Sequence, residues 1–105
     1  MEIPNLNYIN ALAGDSNDFK LKIISVLKKE LPTEVASYHK QIKNKNYLIA
    51  AGCVHKLKHK ISVLGLEKSY YLAELFENNL KENSTNLQID FEKILKTMEL
   101  FVEEL

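Results

Sequence analysis

From Phe19 to Ile42 an apolar side chain returns every three or four positions: Phe19, Ile23, Leu27, Leu31, Val35, Tyr38 and Ile42. This spacing keeps one face of a helix dry over its whole length. The stripe does not change phase at Pro32, although proline removes a backbone bond and costs about 3 kcal/mol inside a helix. A chain break would reset the phase, so the pattern predicts one long helix, kinked near Pro32.

Three further stripes follow. Tyr47, Ala50, Ala51, Val54, Leu57, Ile61 and Leu64 mark a helix starting near Asn44 or Asn46 and closed by Gly65. Leu66, Tyr70, Ala73, Phe76 and Leu80 mark the next, and the short connection makes the two antiparallel neighbours. Leu87, Phe91, Ile94, Met98, Phe101 and Leu105 step in fours and threes, a heptad-like seam that Ser84, Thr85 or Asn86 can cap. Ahead of the long helix, Leu6, Ile9 and Leu12 fit a short helix ended by Gly14, and Met1 to Asn5 read as a lead-in. Asp15 or Ser16 suits the N-cap of the long helix, with Asp18 in its first turn. The chain is thus expected to be one all-α domain over 1–105, an antiparallel four-helix bundle with a short extra N-terminal helix. With two prolines and three glycines there is little punctuation for an all-β fold.

Bulk properties narrow the function classes. Fourteen Lys and Arg balance fourteen Asp and Glu, so no global attraction to nucleic acid is expected. The single cysteine, Cys53, rules out an intrachain disulfide. No apolar run approaches the roughly 20 residues of a membrane span, and no basic-then-apolar leader opens the chain. A cytoplasmic monomer that binds neither nucleic acid nor membrane is the expectation.

Chemistry concentrates on the third predicted helix. His55 has Lys58 and His59 three and four residues downstream, so both lean back toward its imidazole. Two helical histidines one turn apart can clip a metal. Here Lys56, Lys58 and Lys60 surround the pair, no carboxylate shares the face, and Cys53 points roughly 200° away, so no metal site is expected. A lysine ammonium over an imidazole suits a phosphate-like anion. Ala51 and Gly52 behind His55 would leave room for another protein's surface, and Lys56, His59 and Ser62 would border it. On spacing alone, the equal alternative is a solvated lysine face with Gly52 easing a helix contact. His39, beside Tyr38, reads as an ordinary solvated side chain.

His55-x-Leu57-Lys58-His59, with Gly65 ten residues after His55, resembles the signature of histidine-containing phosphotransfer domains of bacterial phosphorelays. Asn5-Leu6-x-Tyr8-Ile9, Gly14-Asp15, Phe19 opening a long helix and Pro32 within it fall where such domains place them. His59 departs from the pattern, which has glycine there. The resemblance implies that His55 accepts a phosphoryl group on Nε2 from a receiver-domain aspartyl phosphate and passes it to another receiver. It implies that Lys58 steadies the phosphoryl oxygens. The partners would be response-regulator receivers, with a hybrid sensor histidine kinase as a further candidate. Such a carrier has no kinase or ATPase activity and no cofactor of its own, the Mg²⁺ residing on the receiver. The alternative is a non-catalytic helical adaptor that binds a signalling partner through the His55 face.

Overall fold

Ser16 opens the longest element. Its hydroxyl accepts the Phe19 backbone N–H at 3.2 Å, satisfying one of the orphan donors of α2, Asn17–Lys43, with Asp18 in the first turn. In the computed structural model, which describes residues 2–105, α2 runs through Pro32 as a single helix. Twenty-seven residues at 1.5 Å each give about 40 Å. That nearly spans the longest dimension of the molecule, 45 Å. The other helices are α1 (Asn7–Ala13), α3 (Tyr47–Val63), α4 (Glu67–Lys81) and α5 (Gln88–Glu103). Together they make the described residues 79% helix, with no strand among them. Helix α3 packs against α2 and α4, α5 packs against α2 and α4, and α1 lies on α2. Among the described residues no helix is long and apolar enough to cross a membrane.

The stripes read from spacing form one core. Leu27, Leu31, Val35 and Tyr38 of α2 meet Val54, Leu57 and Ile61 of α3, Ala73, Phe76 and Leu80 of α4, and Phe91, Ile94 and Met98 of α5. Tyr38, Phe76 and Phe91 stack edge-on and tilted, with ring centroids 5.1 to 6.2 Å apart. Buried Tyr38 donates its hydroxyl to Glu92 at 3.0 Å. On α5 the seam is wider than the heptad predicts. Leu95 and Val102 are buried while Phe101 is only partly so, which matches the broader face of a globular helix.

Several boundary expectations are corrected. Leu12 and Phe19 are exposed, each lying in an end turn of its helix, α1 and α2 respectively. None of Ser84, Thr85 and Asn86 caps α5, whose N-cap is Leu87 with no side-chain bond. The lead-in segment is structural from Glu2 onward, Met1 lying outside the described residues. Both Glu2 carboxylate oxygens accept backbone N–H groups, of Lys68 and Ser69, at 2.7 Å. They cap α4, whose own N-cap residue, Leu66, has no polar side chain. Burial pushes the Glu2 carboxyl up, but these hydrogen bonds outweigh it and leave the group below its ordinary value.

Gly65 shows why the α3–α4 turn needs glycine. Its φ is +76°, and a Cβ there would sit 2.6 Å from the Asn5 amide nitrogen. Asn5 is fixed in that place by its own N–H to the Leu64 carbonyl and by its side-chain oxygen, which accepts from Asn7. The lead-in and the turn therefore brace one another. That turn holds α3 beside α4.

Candidate functional site

Helix α3 presents His55 with its side chain 54% exposed. One helical turn on, His59 is also exposed, its ring centroid 5.3 Å away and its plane perpendicular. Gly52, Lys56 and Ser62 lie on the same surface, and no atom comes within 4 Å of where a Gly52 Cβ would stand. Ala51 does not belong there. It is buried against the core, at helical spacing from Val54, so it cannot meet a partner. Cys53 is partly buried, its thiol pushed up by that burial.

The basic face expected from the sequence is largely neutralised, which is the main correction. Lys58 is buried, and its ammonium lies 3.1 Å from Glu77 Oε1 and 5.5 Å over the Tyr70 ring. The neighbouring helix covers it, so it does not belong to a solvated lysine face. Lys60 lies 3.0 Å from Glu30 and 2.6 Å from Glu34, both on α2. Lys56 remains exposed.

Glu77, buried on α4, joins the two conspicuous residues of α3. The Nδ1 of His55 lies 3.2 Å from each of its carboxylate oxygens, and Lys81 approaches Oε2 at 3.4 Å. Burial raises the Glu77 carboxyl, but hydrogen bonds from Lys58 and then His55, with their charges, overcome this and hold it below its usual value. An ionised carboxylate only accepts, so Nδ1 of His55 carries the hydrogen. In the uncharged ring the lone pair then belongs to Nε2, the atom facing away from Glu77. The carboxylate fixes both the tautomer and the orientation of the imidazole, while Lys58 fixes the carboxylate.

Sequence reading missed Glu77, though two signals pointed to it. Glu77 is four residues after Ala73 and three before Leu80, inside the apolar stripe of α4. Lys58 is four after Val54 and three before Ile61, inside that of α3. Opposite charges at core-facing positions of helices joined by a tight turn require each other.

Two grooves flank the His55 face. One, of about 330 Å³, is lined by Ser62, Gly65, Glu67, Tyr70 and Tyr71 on the α4 side. The other, of about 360 Å³, is apolar and lies between α2 and α3, where His59, Ile23, Val26 and Val63 border it. Among the described residues no group of three or more His, Cys, Asp or Glu is placed to hold a metal ion. No protein-family model matches the chain, and comparison with curated proteins and with solved structures finds no match.

Proposed function

We propose that the chain is a phosphorelay intermediate carrying a phosphoryl group on His55, within an antiparallel four-helix bundle formed by α2 to α5. The carrying observation is the half-exposed imidazole whose Nδ1 is held by a buried, ionised carboxylate, which leaves the lone pair on Nε2. This is how a weak nucleophile is oriented by a neighbouring group. The pairwise packing of α2, α3, α4 and α5 supports the bundle.

In the proposed step the Nε2 lone pair attacks the phosphorus of a receiver's aspartyl phosphate. The N–P bond forms as the P–O bond to aspartate breaks, and the electron pair leaves with the carboxylate. The Nδ1 hydrogen stays in place facing Glu77, which balances the positive charge that develops on the phosphorylated ring. Transfer to a second receiver is the reverse. Acid–base help and Mg²⁺ come from the receiver. In this scheme Lys58 acts first by holding Glu77. Its ammonium is held at Glu77 Oε1, the carboxylate that also holds Nδ1 rather than Nε2.

Partner docking uses Gly52, Lys56, His59 and Ser62 with the flanking grooves. Leu48, 73% exposed and one turn before Gly52, extends that surface with an apolar contact. A cytoplasmic monomer meeting response-regulator receivers fits this reading. Incubation with a radiolabelled phospho-receiver is expected to give acid-labile, base-stable phosphate on the wild type and none on His55→Gln. Receiver binding without transferable phosphate would favour the adaptor instead.

A further inference from the structure

We infer that His59, rather than Lys58, is the side chain that hydrogen bonds the phosphoryl group carried on His55. This rests on the phosphorelay reading and adds a second functional residue to it. The two ring nitrogens of an imidazole point in diverging directions. With Nδ1 turned to Glu77 on the α4 side, Nε2 faces away from α4, across the exposed surface of α3. His59 occupies that side. It lies 40° around the helix from His55 in the direction away from Lys58, as 3.6 residues per turn require. Its ring stands perpendicular to that of His55 at a centroid distance of 5.3 Å. A tetrahedral phosphoryl group on Nε2 projects past the edge of the His55 ring into solvent beside His59, where an N–H of His59 can donate to one oxygen.

The competing cation is elsewhere. Lys58 lies on the opposite flank of His55, buried, bonded to Glu77 and covered by Tyr70. Leaving Glu77 would strip a buried carboxylate of its closest ammonium, a costly exchange. Lys60 is likewise committed, to Glu30 and Glu34. His59 is exposed, and among the described residues no carboxylate holds its ring.

The chemical consequence is a longer-lived phosphohistidine. Loss of the phosphoryl group proceeds through a loose, metaphosphate-like state in which the equatorial oxygens carry less charge than in the phosphorylated ground state. A donor on those oxygens therefore stabilises the ground state more and slows hydrolysis. Water supplies the oxygen in that reaction: the N–P bond breaks, its electron pair returns to Nε2, and inorganic phosphate leaves.

The test needs no receiver. The full chain and its variants are phosphorylated with phosphoramidate, whose P–N bond breaks with ammonia leaving, and decay is followed by ³¹P NMR. His59→Phe and His59→Gly are expected to shorten the phosphohistidine lifetime about fivefold, the scale of one neutral hydrogen bond. His59→Gln, whose amide still donates, is expected to stay within about twofold of wild type. A lifetime indifferent to residue 59, or one shortened by Lys58→Met and not by His59→Phe, overturns the assignment while leaving His55 as the carrier. Absence of any phosphohistidine in the wild type, with either phosphoramidate or a phospho-receiver, overturns both. Because His59 is exposed, His59→Phe and His59→Gln are expected to melt like wild type, which separates a local effect from the small helix-propensity loss of His59→Gly.

Discussion

Helix α3 carries two lysine–carboxylate networks, a buried one on one flank and a partly exposed one on the other, built from the same chemistry to different ends. On the α4 flank Lys58 meets Glu77, and both oxygens of Glu77 are engaged, by Lys58, His55 and Lys81. On the α2 flank Lys60 meets Glu30 and Glu34, and one oxygen of Glu34 is buried without a hydrogen-bond partner. The first network ends in an exposed imidazole; the second ends in a helix contact. A buried ion pair is weak evidence of net stabilisation, since desolvation offsets much of the attraction. What distinguishes the α4 network is the titratable, nucleophilic group attached to it.

The largest expected contrast comes from deleting each carboxylate. Glu77→Ala leaves Lys58 buried without its counter-charge and frees the His55 ring. Stability is expected to fall by about 3 kcal/mol and phosphoryl uptake by at least about 100-fold. Glu34→Ala is expected to lose stability too, by less, since one of its oxygens is already unsatisfied, and to leave uptake unchanged. Urea denaturation and phosphoramidate kinetics measure both. Equal losses of uptake in the two variants would erase the distinction. The lysines should repeat the contrast more mildly: Lys58→Met is expected to cost about 1–3 kcal/mol and slow uptake, whereas Lys60→Met lowers stability alone.

Much of this was legible in the chain and some was not. Spacing alone located α2 through Pro32, most of the core and the His55–His59 face, because period-3.6 stripes depend only on local order. Residue type narrowed the α2 cap to Asp15 or Ser16, of which Ser16 is the one used. Glu2 capping α4 and Glu77 orienting His55 are contacts across 66 and 22 residues, which no local period encodes. The lysines of α3 looked like a basic surface because their carboxylate partners sit on other helices. Ala51 looked available because small residues are equally suited to a partner's approach and to close packing within the core.

Acid and base sharpen the comparison further. The Glu77 carboxyl is depressed, so its contribution to stability is present above its ordinary value of 4.5 and is lost as pH falls through the depressed one. Burial lowers the Lys60 ammonium, yet the Glu34 and Glu30 bonds raise it overall. Its contribution is therefore present below its ordinary value of 10.5 and is lost as pH rises through the raised one. Glu77→Gln is expected to flatten the acid limb of the stability profile and Lys60→Met the alkaline limb. The reverse pairing would contradict the assignment of the networks. The smallest effect belongs to Lys56→Ala, an exposed site, expected within about 0.5 kcal/mol of wild type in stability and reduced only in receiver association at low salt.

The most direct test of the central claim is the identity of the phosphorylated nitrogen. In protein labelled with ¹⁵N at histidine and phosphorylated at neutral pH, phosphorus–nitrogen coupling reports which ring atom carries the group. A single adduct on His55 Nε2, with the Nδ1 hydrogen retained beside Glu77, is the predicted result. Phosphate on Nδ1, on another residue, or on none would contradict it.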